Sequence, residues 1–115
     1  MRRGGDLLGM LAALSGALAV AAGAFAAHGA SGRAADLLHT GAHYQLVHAV
    51  AAIAALALSR GRAAAWLFVG GGALFAGTLY AMAFGAPNWF GAITPIGGAA
   101  LIGGWIVLAV GMWRR

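Results

Sequence analysis

Four apolar runs, separated by short polar breaks that carry the arginines, constrain this chain more than any other feature. They cover about 7–27, 42–59, 63–84 and 91–113. Crossing a hydrocarbon core of about 30 Å takes roughly 20 apolar residues in a helix. Inside that core the backbone must satisfy its own hydrogen bonds, so such runs become helices. A chain of 115 residues has room for four crossings. Charged residues make up 8% and hydrophobic residues 63%, with mean hydropathy +0.89, whereas soluble domains carry about 25% charge. The expected fold is all-α: one integral membrane four-helix bundle over residues 1–115.

The breaks between runs have recognisable chemistry. His28-Gly29-Ala30-Ser31-Gly32 ends the first, and Arg33 to His39, with Asp36 inside it, reads as a short polar connection too polar to span. Arg60-Gly61-Arg62 ends the second run, and Gly85-Ala86-Pro87-Asn88 supplies turn residues after the third. The fourth enters through Thr94-Pro95, where a proline costs little because the first-turn N–H has no helical partner. The first run also resembles a secretory signal, with a basic start and Ala24-Phe25-Ala26 as a cleavage site, but it exceeds the usual 7–15 apolar residues. We therefore read it as a crossing.

Arginine sets the orientation. Of the seven basic residues, Arg2, Arg3, Arg60, Arg62, Arg114 and Arg115 fall on one side of a four-crossing topology, and only Arg33 falls on the other. The positive-inside rule then puts both termini in the cytoplasm. Asp6 is expected to neutralise a neighbouring arginine. The net charge of +5 is thus a matter of topology, and no basic patch for nucleic acid is expected. Gly97, Gly104 and Gly111 recur at seven-residue spacing, and Ala73 with Gly77 or Ala100 with Gly104 form small-xxx-small pairs. These are expected to pack helices within the bundle rather than to form a dedicated dimer face.

All four histidines, His28, His39, His43 and His48, fall between the first run and the start of the second. The alternating topology brings His28 at the end of the first helix to the level of His43, Tyr44, Gln45 and His48 at the start of the second. Tyr80, near the end of the third, and Thr94, at the entry of the fourth, join them there. The candidate site is this outer polar cluster of His28, His43, Tyr44, Gln45, His48, Tyr80 and Thr94. Polar residues within a crossing face the bundle and find partners. The cluster either binds a ligand, proton or metal, or holds the helices together by hydrogen bonds.

Other chemistry finds less support. If Asp36 to His48 were one helix, Asp36, His39 and His43 would share a face and could ligate zinc or copper, but Gly41 invites a break between His39 and His43. No protein-ligated metal and no cofactor is expected; haem on a pair from His28, His43 and His48 matches no motif. The only carboxylates are Asp6 and Asp36, so no pair exists for acid–base work. Ser15 lies mid-helix with no base near it in sequence, and Gly70-Gly71-Gly72 has no lysine, so it is packing and not a phosphate cradle. No cysteine is present. An enzyme is not expected. Trp66, Trp89 and Trp113 fall near run ends, as interfacial anchors do, and Trp105 does not.

Several segments carry a resemblance to a known family. Gly23-Ala24-Phe25-Ala26-Ala27-His28-Gly29, Thr40-Gly41-Ala42-His43-Tyr44-Gln45-Leu46-Val47-His48-Ala49, Leu74-Phe75-Ala76-Gly77-Thr78-Leu79-Tyr80, and Ile93-Thr94-Pro95-Ile96-Gly97-Gly98 with Gly104-Trp105 resemble successive motifs of the domain-of-unknown-function 423 family. That family comprises small bacterial inner-membrane proteins and a eukaryotic relative, transmembrane protein 256. This chain departs from its pattern at Ala26, where glycine is usual, and at Ala76-Gly77-Thr78, where Ser-Gly-Ser is usual. The resemblance implies four helices in a bacterial inner membrane and no established activity. The leading expectation is a non-catalytic interaction or accessory protein, whose partners are the lipid bilayer and either another membrane protein or its own copies. The alternatives are an oligomeric protein that binds or transports a small ligand, a lipid or quinone, or a proton, and an outer-side metal-binding protein.

Overall fold

Nothing inside the apolar runs interrupts the helical hydrogen-bond ladder, because both prolines, Pro87 and Pro95, stand at or just before helix starts. The computed structural model describes residues 3–114, with side chains described from Leu7 onward. Arg2, Arg115, and the side chains of Arg3 and Asp6 lie outside the described residues, and with them the expected Asp6–arginine contact. Four α-helices follow in order: α1 (Arg3–His28), α2 (Gly32–Ala55), α3 (Gly61–Ala83) and α4 (Thr94–Trp113). A 3-10 turn at Asn88–Ala92 precedes α4. By length and composition α1, α3 and the Asn88–Trp113 stretch are apolar enough to cross a membrane.

The second helix differs from expectation. It starts at Gly32, not near 42, and runs unbroken through Gly41. The stretch Arg33 to His39 is therefore helix, and the connection to α1 shrinks to Gly29-Ala30-Ser31. Polar residues on one exposed face do not prevent helix formation, and Gly41 is not a break. A Cβ on Gly41 would come within 2.7 Å of the Tyr80 ring, so this glycine lets α3 approach. The Asp36, His39, His43 and His48 side chains along α2 keep its hydropathy below that of the other three helices.

Glycines also set the register of α1 on α2. A Cβ at Gly9, Gly16 or Gly23 would touch Leu56, Ala49 or Ala42 at 3.6, 3.7 and 3.6 Å respectively. The two helices are thus antiparallel, and His28 stands level with Leu37. The first turn and a half of α2, Gly32–Asp36, projects beyond that level by roughly 8 Å at 1.5 Å per residue. Arg33 Nη2 donates to Asn88 Oδ1 at 3.0 Å, tying this projection to the turn before α4.

Between α3 and α4 the backbones themselves meet. A Cβ on Gly97 would lie 2.5 Å from the Phe75 amide nitrogen, and one on Gly104 would fall 2.5 Å from the Phe68 ring. Gly111 meets the Ser59 carbonyl in the same way. The seven-residue glycine series therefore packs inside the molecule, as its spacing suggested, in the manner of membrane helices that associate by van der Waals contact of small residues. The core comprises Leu8, Ala12, Ala52, Ala55, Ala64, Ala65, Phe68, Leu101 and Leu108.

The helices form an open row and not a closed ring of four. Each packs on its sequence neighbour, α1 also touches α3, and among the described residues neither α1 nor α2 packs along α4. The molecule measures 46 × 29 × 19 Å. Large apolar side chains such as Leu14, Leu18 and Val20 on α1 and Ile102 and Ile106 on α4 remain exposed on its flanks.

Candidate functional site

The polar side chains meet at mid-span. Because Gly16 faces Ala49 and Gly23 faces Ala42, Gln45 and His48 lie level with Ala17 to Val20. That is the middle of the apolar span Leu7–His28. The expected position of these residues at the start of the second helix is corrected: α2 begins about ten residues earlier, so His48 sits more than four turns down it.

Two junctions form there, and a third forms between Thr78 and the first residue of α4, Thr94. In the first, Gln45, 3% exposed, links three helices: its Nε2 donates to Ser15 Oγ on α1 at 3.1 Å, and its Oε1 accepts from the Tyr80 hydroxyl on α3 at 2.7 Å. In the second, Trp105 Nε1 on α4 donates to His48 Nε2 at 3.0 Å, and His48 Nδ1 lies 2.7 Å from the Tyr44 carbonyl. Indole N–H can only donate and a carbonyl can only accept, so His48 is the neutral tautomer with its proton on Nδ1. In the third, the Thr78 and Thr94 hydroxyls meet at 2.6 Å, one donating to the other, and the accepting hydroxyl donates in turn to a carbonyl of its own preceding turn, Leu74 or Phe75 for Thr78 and Phe90 for Thr94. Among the described residues no buried side-chain polar atom lacks a partner.

Aromatic rings support the second junction. Phe68 packs on both His48 and Trp105, with centroids 5.4 and 4.9 Å away, and Tyr44 lies over Phe75 at 4.8 Å. Since α2 and α4 do not pack along each other, the Trp105 side chain reaches across the gap between them. It leaves a laterally open groove of about 340 Å³ lined by Tyr44, His48, Phe75, Gly98, Leu101, Ile102 and Trp105.

Of the expected cluster, the structure joins Gln45 to Tyr80, Tyr44 to His48, and Thr94 to Thr78, which sequence reasoning had not included. It leaves His28 and His43 out. His28 is exposed at the end of α1, about 16 Å along the axis from the level of His48. His43 is exposed on α2 and touches only the edge of Tyr44, at 5.6 Å. Asp36, His39 and His43 do share one continuous helix, yet all three are exposed, and among the described residues no three metal-ligating side chains converge. Ser15 and Trp105 were missed as site residues. The signal for each was present: a hydroxyl in the middle of an apolar helix, and the one tryptophan away from a run end. Chemically the junctions offer no free base or nucleophile, since each polar atom in them is bonded to another helix or to its own turn.

A family profile described as "Protein of unknown function (DUF423)" matches residues 22–98, from the end of α1 into α4. A Haemophilus influenzae protein named UPF0382 membrane protein is 45% identical over 90% of this chain and 91% of its own length. The Bacillus subtilis UPF0382 membrane protein YwdK is 38% identical over 88% of this chain and 91% of its own. The Escherichia coli UPF0382 inner membrane protein YgdD is 31% identical, over 91% and 88%. No solved structure matches.

Proposed function

The chain belongs to the DUF423 family of membrane proteins, and from that premise we propose that it is a non-catalytic interaction or accessory protein of the bacterial inner membrane. The observation that carries this is the closure of the polar network: Gln45, His48, Tyr80 and Thr94 each bond to neighbouring helices. Their donors and acceptors hold helices that the hydrophobic effect cannot hold inside lipid. The exposed flanks of an open row are the surfaces left for a partner. Both termini are cytoplasmic in this reading, because the arginine-bearing 56–60 turn and the C-terminus share one end of the molecule.

Purification from native membranes at native expression, in mild detergent, is expected to recover a second membrane protein in stoichiometric amount. A chain recovered with neither another protein nor its own copies bound overturns this reading.

The groove beside Trp105 favours a second reading, binding of a lipid. His48 Nε2 and Trp105 Nε1 in its wall are bonded to each other, and apart from Tyr44 the rest of the lining is apolar, so an apolar chain fits it better than a headgroup or a proton. With Trp66, Trp89 and Trp113 replaced by phenylalanine, chain-brominated lipid should quench the fluorescence of Trp105 more strongly than headgroup-proximal quenchers do. The opposite order sinks this reading.

A further inference from the structure

Helix packing does not account for glycine at position 98. Its neighbour Gly97 must be bare, because a Cβ there would collide with the Phe75 backbone, whereas a Cβ on Gly98 would meet only the Phe75 ring, at the ordinary contact distances of 3.8 and 3.9 Å. Glycine inside a helix is destabilising relative to alanine. What the missing side chain does is leave room in the groove beside Trp105, which Gly98 lines.

The groove has a direction. Its α4 residues are Gly98, Leu101, Ile102 and Trp105, so none lies beyond Trp105, and its α2 residues are Tyr44 and His48. Phe75 lies beside both Gly98 and Tyr44, which mark one end. Trp105 and His48, bonded to each other, mark the other. His48 is at mid-span, and α4 runs from the Asn88 end of the molecule towards the C-terminus. From Trp105 back to Gly98 is seven residues, or about 10 Å at 1.5 Å each. The hydrocarbon of one leaflet is about 15 Å deep, half of the 30 Å core. The groove therefore starts at the bilayer centre, rises towards the Asn88 side, and lies wholly within the hydrocarbon of that one leaflet.

Size and chemistry decide what fills it. A trapped water needs two to four polar partners, and with His48 and Trp105 bonded to each other, Tyr44 is the one other polar side chain on the wall. A helix is 10–12 Å across with its side chains, so a 10 Å length of it takes up roughly 800–1,100 Å³, more than twice the 340 Å³ of the groove. Left empty, the wall atoms would forfeit dispersion contacts on one side. A single hydrocarbon chain is thin enough to enter, makes those contacts, and is the solvent at this depth.

We propose that the groove binds one acyl chain of a phospholipid from the leaflet on the Asn88 side. The chain's terminal methyl rests against the Trp105–His48 bridge, its middle passes between Tyr44 and Phe75, and its head group lies towards the Asn88 surface. Gly98 is the residue that admits it. The bridge closes the groove at the bilayer centre, so a chain from the opposite leaflet meets the indole edge and not the recess. The proposal rests on the lipid reading of this groove and adds the leaflet, the direction of the chain and the residue that makes room for it.

Photolabelling tests all three. The full chain is placed in vesicles of phosphatidylethanolamine and phosphatidylglycerol, doped with phosphatidylethanolamine that carries a diazirine either at the end or in the middle of one acyl chain, and the adducts are mapped by mass. The end label should appear on Trp105 and His48 and the mid-chain label on Tyr44 and Phe75, each several-fold above Leu18, an exposed residue of α1. Gly98→Leu should cut labelling of both pairs several-fold with Leu18 unchanged, and Gly98→Ala should cut it less. Gly103→Leu, on α4 outside the groove and with Leu67 no nearer than 3.8 Å to the added carbon, should leave labelling unchanged. The proton on His48 Nδ1 should persist in both Gly98 variants; its loss in both would make Gly98 a packing residue and overturn the proposal. Labels in the reverse order assign the chain to the other leaflet and overturn the proposal, while leaving the lipid reading standing. Labelling unaltered by Gly98→Leu also overturns it, and labelling no stronger than at Leu18 overturns it together with the lipid reading.

Discussion

His48 is neutral because its surroundings leave it no alternative. Trp105 supplies the donor on one side and the Tyr44 carbonyl the acceptor on the other. Nitrogen NMR of the imidazole should therefore show a protonated Nδ1 and a bare Nε2, and in Trp105→Phe this pattern should blur as Nε2 loses its donor. Interhelical hydrogen bonds in membrane proteins average about 0.6 kcal/mol and reach about 1.7. Trp105→Phe is expected in the upper part of that range, since Phe68 also loses a packing partner, as read by unfolding in mixed micelles. Gln45→Leu should cost more than Ser15→Ala, because it strands the Tyr80 hydroxyl as well as the Ser15 one.

At the level of the helix, substitutions separate glycines that bring backbones together from those that do not. Gly97→Val puts a side chain where the Phe75 backbone already is, and no rotamer change can relieve that. Overpacking of this kind costs typically 1–3 kcal/mol and sometimes more. It should release α4 from α3, seen as protease sensitivity of the segment between them. Gly70→Ala and Gly77→Ala, with nothing within 4 Å of the added carbon, should leave stability unchanged. Helix number and the inward role of the glycine series were legible in the sequence, because apolar length and small-residue spacing report directly on crossing and close approach. The start of α2 was not. Hydropathy sees polar residues without their direction, so the exposed Asp36, His39 and Thr40 made the first turns of α2 look like a connection. The misplaced start carried the site with it: Gln45 and His48 were expected at the membrane surface and lie at mid-span. What put Gln45 and Tyr80 into one expected cluster was topology, which antiparallel neighbours preserve despite a shifted boundary.

For the whole molecule, orientation is the open quantity that can be measured most simply. Reporter fusions or cysteine labelling should place the 56–60 turn and the C-terminus on the cytoplasmic side and Asn88 on the other. Replacing Arg60 and Arg62 with glutamine should weaken that bias, and adding lysines beside Asn88 should compete with it. The open row has a consequence in time as well as in space. Because α1 packs on α2, α2 on α3 and α3 on α4, almost every contact joins segments that leave the ribosome one after the other, which is the low-contact-order extreme of chain topology. No helix has to wait for a distant partner before its glycines find their neighbours. The molecule can be assembled hairpin by hairpin during insertion, and Trp105, among the last residues to enter, locks onto His48 only when the rest is in place.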